Sequence, residues 1–206
     1  MLDSHSPVPY TLGGYPGHWL RRSIHLSTAL IPFVYYFFLQ HWLYPYGLLF
    51  LLAMIILFEG LRLYRGWLFL GQRTYETHYI SAFAWGIASL LLVLLLAPDE
   101  RYAFPIILSY ALGDPLLGEL RRYTGTRQRQ NIKIHFIVAC LSASIITAIW
   151  LICSLLLATP WWLALLMGPL TVAVEWPSIK WIDDNALMQL VPLTLILVLV
   201  KMSLIA

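Results

Sequence analysis

Glu175, Asp183, Asp184 and Asn185 bring three carboxylates and an amide together in a short stretch where two apolar runs meet. Hard oxygen donors in that number are what Mg²⁺ uses when it is shared with substrate phosphates. A second group, Asp114, Gly118, Arg121, Arg122 and Gly125, follows offsets of four, seven, eight and eleven, which is one face of a helix. An acid, a glycine that permits close approach and paired guanidiniums on one stripe suit a polyphosphate with its cation. Each group also has a purely local explanation. Asp184 or Asn185 caps a helix, and Arg121 with Arg122 mark a helix end. Glu59 and Arg62, one turn apart, read first as a local ion pair. His25, just after Arg21 and Arg22, is a proton carrier, a phosphate ligand or a packed histidine.

The elements that carry these residues are membrane helices. The chain has 206 residues, 60% of them hydrophobic and 11% charged, a balance foreign to soluble domains. Apolar runs near 20 residues are long enough to cross a hydrocarbon core of roughly 30 Å. Seven spans are expected, at about 24–42, 46–63, 79–97, 102–112 with a continuation, 134–158, 161–174 and 186–205. Together they form one all-α polytopic domain covering 1–206, with 1–20 as a polar lead-in. Of the 13 Lys and Arg, all but Arg101 and Lys201 fall in the gaps on the side of the N-terminus. The positive-inside rule makes that side, with its charged loops, cytoplasmic. A net charge of +3, scattered through short loops, excludes a nucleic-acid surface. Cys140 and Cys153 are too few for a disulfide framework. Oligomeric state is not readable.

The fourth span stands out. Residues 102–112 cover only about 16 Å at 1.5 Å per residue before Gly113-Asp114-Pro115. A residue preceding proline avoids the α region, aspartate favours the N-cap and proline the first helical position. The tripeptide therefore predicts a broken helix, either one whose new N-terminus can hold phosphate or a plain hairpin in which Asp114 only caps. Arg22, His25, Glu59, Arg62, Asp114, Arg121, Arg122, Glu175, Asp183, Asp184 and Asn185 all come at span ends on one side, which argues for a shared polar site.

With those residues in place, the chain resembles the membrane CTP-dependent lipid kinases, a family that includes dolichol, phytol and diacylglycerol kinases. The matching segments are RRSIHL at 21–26, FEGLR at 58–62, ALGDPLLGELRRYTG at 111–125 and VEWPSIKWIDDN at 174–185. The resemblance implies transfer of the γ-phosphoryl group of CTP, or another nucleoside triphosphate, to an isoprenoid alcohol or diacylglycerol, with Mg²⁺. By position it implies Asp114 and Asp184 as catalytic carboxylates. Arg122 and Gly125 would by position join Asp114 in the nucleotide site, and Arg22, Arg121 and Lys133 are further expected phosphate contacts by their charge. Glu175, Asp183, Asp184 and Asn185 would hold the metal, with His25, Glu59 and Arg62 in support. Where the family carries a glycine-containing phosphate loop, this chain has RQRQNIK at 127–133. Two other classes draw on the same residues: a lipid cytidylyltransferase, and a non-catalytic member that binds lipid or an assembly partner.

Overall fold

The computed structural model describes residues 11–123, 132–175 and 182–205; for 121–123 and 132–134 it describes the backbone alone. The described chain is all-helical. Helix α1 is a continuous helical run over Gly14–Leu43 and α2 covers Tyr46–Arg65. After a loop containing a 3₁₀ turn at Thr74–Thr77, α3 runs Ala82–Leu96. Helix α4, Glu100–Leu108, passes through a π turn at Ser109–Gly113 into α5, Asp114–Tyr123. Then come α6, Ile132–Leu157, α7, Trp162–Glu175, and α8, Asp184–Lys201.

Every expected apolar stretch is helical, but the stretches differ in reach. By length and composition α1, α2, α6 from His135 and α8 can cross a membrane. Helices α3 and α7, of 15 and 14 residues, extend only about 22 Å and 21 Å. The polar lead-in ends sooner than expected, because the first helix begins at Gly14 rather than beyond residue 20. Gly13 adopts φ 87° just before it. Pro16 then falls in the first turn, where a missing N–H costs nothing because that donor has no intrahelical acceptor.

The expected break in the fourth span is also corrected. Asp114 has φ −54° and ψ −48°, inside the helical region, and it does not act as an N-cap. The chain absorbs Pro115 by widening into the π turn immediately before it. Proline cannot donate to the carbonyl four residues back and its ring crowds that group, and an i→i+5 turn relieves both conflicts. Pro32 coincides with a similar irregularity in α1, a 3₁₀ turn at Thr28–Leu30.

The core lies where α4, α6, α7 and α8 meet, built from Tyr102, Ile106, Leu117, Ile146, Trp150, Met167, Met188 and Ile196. Helices α6 and α7 approach closely. A Cβ on Gly168 would collide with Thr147 Oγ1 and the Ala143 carbonyl. Small residues at such crossings let membrane helices gain packing contacts that hydrocarbon cannot replace. The outer faces remain apolar, with Phe37 and Phe38 each 73% and Leu155 87% exposed. Surfaces of this kind suit a lipid solvent and not water.

Candidate functional site

Asp114, Glu175 and Asp184, from α5, α7 and the first residue of α8, converge so that one oxygen of each lies within 4.8 Å of the others. Opposed ligands on one Mg²⁺ lie about 4.2 Å apart, twice an Mg–O distance of roughly 2.1 Å. The three carboxylates can therefore share one hard divalent cation after small side-chain adjustments. Glu175 is 3% exposed, and Asp114 and Asp184 are half-buried. Three carboxylates drawn this close repel unless cations or protons intervene.

Cations stand nearby. Arg21 pairs with Glu76 at 3.2 Å, and Arg73 donates to the Tyr75 hydroxyl at 2.7 Å. Burial works against the charge on Arg73. Tyr75 and, beyond it, Asp184 and Asp183 outweigh that and hold the guanidinium pKa above its ordinary value. Both arginines come from segments that topology alone would treat as orientation charge; Arg21 opens the RRSIHL segment, and no local motif marks Arg73.

Asp183 is near the group without belonging to it. Its side chain accepts from the Asn185 backbone N–H at 3.1 Å and caps α8. Burial first, then the neighbouring Asp184, push the Asp183 carboxyl up to about 7, against the opposing pull of the Asn185 amide and Arg21. Asn185 likewise leaves the expected metal set. It is 3% exposed and turns toward α3, where its amide nitrogen donates to the Ala82 carbonyl at 3.4 Å. One turn on, Gln189 donates to Ser89 Oγ at 2.7 Å and to the Gly86 carbonyl at 3.1 Å, tying α8 to α3. Sequence reading passed over Gln189 because an uncharged amide inside an apolar run carries no periodic signal.

His25 joins the site through Asp114. Its Nε2 lies 3.0 Å from the Tyr110 carbonyl and its Nδ1 lies 3.5 Å from Asp114 Oδ2. A carbonyl only accepts, so Nε2 carries the proton. In the neutral ring Nδ1 then presents a lone pair to a carboxylate, two acceptors face to face. The Tyr110 carbonyl belongs to the π turn, so the irregularity that accommodates Pro115 lies beside the group that orients His25.

Other expected site residues go elsewhere. Arg22 clamps α1 to α5, bonding Glu119 at 2.9 Å and the Pro115 carbonyl. The expected phosphate contact of Arg22 would have to be made from this clamp. A Cβ on Gly118 would come within 2.7 Å of the Arg22 guanidinium, the far end of a flexible side chain that would have to shift. Glu59 and Arg62 form the expected pair in bidentate fashion, at 2.8 and 2.9 Å. Arg62 also donates to the Tyr79 and Trp67 carbonyls, and Glu59 accepts from the Ser81 N–H. The pair fixes the 66–81 loop to α2. Arg121 and Arg122 occupy the last turn of α5 and Lys133 the first turn of α6, but their side chains, like Gly125 altogether, lie outside the described residues.

Against this polar end lies a cavity of about 300 Å³ between α1, α2, α3 and the 66–81 loop. His25, Tyr110 and Asn185 line it and connect it to the acid group. Comparison of the chain with protein-family models, curated proteins and solved structures finds no match.

Proposed function

We propose that the protein is an integral membrane phosphotransferase that moves the γ-phosphoryl group of a nucleoside triphosphate, CTP by resemblance, to the hydroxyl of a lipid alcohol. The observation that carries this reading is the convergence of Asp114, Glu175 and Asp184 from three helices, with His25, which lies 3.5 Å from Asp114, lining a largely apolar cavity. In this reading those three carboxylates hold Mg²⁺, which supplies charge neutralisation for the transferring phosphoryl group. Arg73 and Arg21 add positive charge nearby. The additional proposed spans are α3, the α4–α5 run and α7, giving seven. The charged end faces the cytoplasm, as the distribution of Lys and Arg requires. A nucleotide then arrives from water and the lipid from the bilayer, and the two meet at one membrane face.

Phosphoryl transfer asks mainly for positioning and electrostatic stabilisation. The alcohol oxygen forms a bond to the γ-phosphorus, the bond to the β–γ bridging oxygen breaks, and the nucleoside diphosphate leaves with that electron pair. The alcohol proton needs an acceptor. Asp114 Oδ2 and His25 Nδ1 face each other with room for one proton between them, and its arrival turns a repulsive contact into a hydrogen bond.

The test is purified full-length protein in lipid nanodiscs with Mg²⁺, γ-labelled CTP or ATP, and prenyl or acyl-chain alcohols. Labelled lipid phosphate with release of nucleoside diphosphate is expected. Pyrophosphate release would instead make the protein a nucleotidyltransferase, and absence of transfer across the whole panel would overturn the reading.

A further inference from the structure

Arg73 raises a separate question. Its guanidinium is half-buried and donates to a neutral group, the Tyr75 hydroxyl, at 2.7 Å; among the described residues it forms no ion pair. Arg21, Arg22, Arg62 and Arg101 each meet a carboxylate. Arg65, the remaining arginine whose side chain is described, is exposed and lies over the Trp67 ring. Withdrawing a charge from water costs solvation that a counterion in contact offsets, and the described chain gives Arg73 none.

The backbone that carries Arg73 is fixed. Leu12 N–H donates to the Gln72 carbonyl at 2.8 Å, Gly71 N–H donates to the Leu12 carbonyl at 3.0 Å, and Thr11 and Arg73 form an antiparallel bridge. Two glycines permit that approach. A Cβ on Gly17 would overlap the Leu12 carbonyl, and one on Gly71, at φ 89°, would come within 3.1 Å of the Gly17 carbonyl. Glu76, 1% exposed, holds Arg21 at 3.2 Å. The 66–81 loop and the start of α1 thus form one unit that carries an arginine on each part.

Asp184 and Asp183 act on the Arg73 charge, and Arg21 acts on Asp183, yet among the described residues no ion pair joins these arginines to these acids. Unlike charges held near one another and out of contact complement a ligand that carries both signs. Three carboxylates within 4.8 Å favour a compact divalent cation over the single charge of a zwitterionic headgroup. Polyphosphate oxygens suit the planar fork of arginine. We propose that Arg73, together with Arg21, is the phosphate-binding side of the site: the 66–81 loop and α1 hold the polyphosphate of a divalent metal–nucleotide whose metal faces Asp114, Glu175 and Asp184. The inference deepens the phosphotransferase reading and rests on it for the nucleoside to which the polyphosphate belongs.

Inorganic pyrophosphate tests the site without nucleoside, acceptor or turnover. Full-length protein in phosphatidylcholine nanodiscs is modified with phenylglyoxal, and each arginine is followed by mass spectrometry. The arms are pyrophosphate with Mg²⁺, pyrophosphate with a chelator, and phosphatidylglycerol in the bilayer with no metal. Mg–pyrophosphate should slow modification of Arg73 severalfold and leave Arg65 unchanged, and the chelator should abolish that protection. Affinity for Mg–pyrophosphate should fall about ten- to a hundredfold in Arg73→Gln, the worth of a charge-assisted hydrogen bond. Arg73→Lys, which keeps the charge and loses the fork, should fall between. Arg65→Gln removes the same charge from an exposed, screened position and should change affinity less than about twofold. Equal modification of Arg73 with and without Mg–pyrophosphate in the unsubstituted protein, which needs no variant to fold, overturns the proposal. Equal protection by phosphatidylglycerol without metal makes this a headgroup site and also overturns it, as does unchanged affinity in a folded Arg73→Gln. Protection of Arg73 as expected with no phosphoryl transfer leaves the site standing and removes the kinase reading. Transfer by Arg73→Gln at an unchanged nucleotide KM does the reverse.

Discussion

Two groups of charged side chains at the same end of this bundle, each with a buried glutamate, behave as opposites. Glu59 and Arg62 lie one turn apart on one helix, are 6% and 0% exposed, and satisfy one another in bidentate fashion. The donors and acceptors left over meet the Tyr79 and Trp67 carbonyls and the Ser81 N–H. Asp114, Glu175 and Asp184 come from three helices, carry one sign of charge, and crowd within 4.8 Å. The first group is closed and has no capacity left for a ligand. The second gathers carboxylates of one sign, with His25 beside Asp114 and with Arg21 and Arg73 close enough to act on its electrostatics. Burial of charge therefore does not by itself mark a functional site; what matters is whether the folded chain completes the electrostatics.

The largest effect should come from opening the closed group. Arg62→Ala leaves Glu59 buried and unpaired, and should cost about 3–5 kcal/mol of stability, read by thermal or denaturant unfolding in detergent. A loss below about 1 kcal/mol would mean that the pair is not the lock inferred here. The acid group should respond in the contrary sense. Asp184→Asn and Asp114→Asn should lower phosphoryl transfer by about 10²- to 10³-fold while metal-free stability holds or rises, since each removes like-charge repulsion. Activity and stability falling together would erase the contrast between the groups.

Acidity offers a subtler test. The Asp183 pKa is raised from 3.8 to about 7, so the native state keeps its proton at pH values where the unfolded chain has lost it. Stability from this group is accordingly complete below the unfolded value and declines as pH rises through that interval. Metal-free protein should lose stability between about pH 4 and pH 7, and Asp183→Asn, which retains a capping oxygen, should flatten that slope. An unchanged slope in the variant would assign the titration to another carboxyl. The smallest effect belongs to the half-exposed Arg22–Glu119 pair. Glu119→Gln should cost less than about 1 kcal/mol and lose even that at high salt.

How far these groups could be foreseen followed their sequence separation. The Glu59–Arg62 pair was legible because both residues sit on one helix three positions apart, a spacing that backbone geometry alone brings into contact. The Arg22–Glu119 clamp was not, because it joins positions far apart in the chain. The cap of the last helix was expected at Asp184 or Asn185, and the structure gives it to Asp183. That depends on where α8 starts relative to α5 and α7. The π turn was similarly half-visible. Pro115 announced a local conflict, and packing decided that it would be met by a wider turn and not by a break.

The sequence alone determined the all-helical architecture, the positions of the apolar stretches and the gathering of charge into alternate gaps. These follow from hydrophobic run length and helix period, which are local quantities. Tertiary structure alone decided which carboxylates meet, that Asn185 turns from the acid group toward α3, and that Arg22 ties α1 to α5. Those outcomes depend on how helices are rotated and offset against one another. In a bundle whose faces are nearly all apolar, side-chain interlocking at sites such as Gly168 and Gly118 contributes to that setting, and no pattern along one helix reveals it.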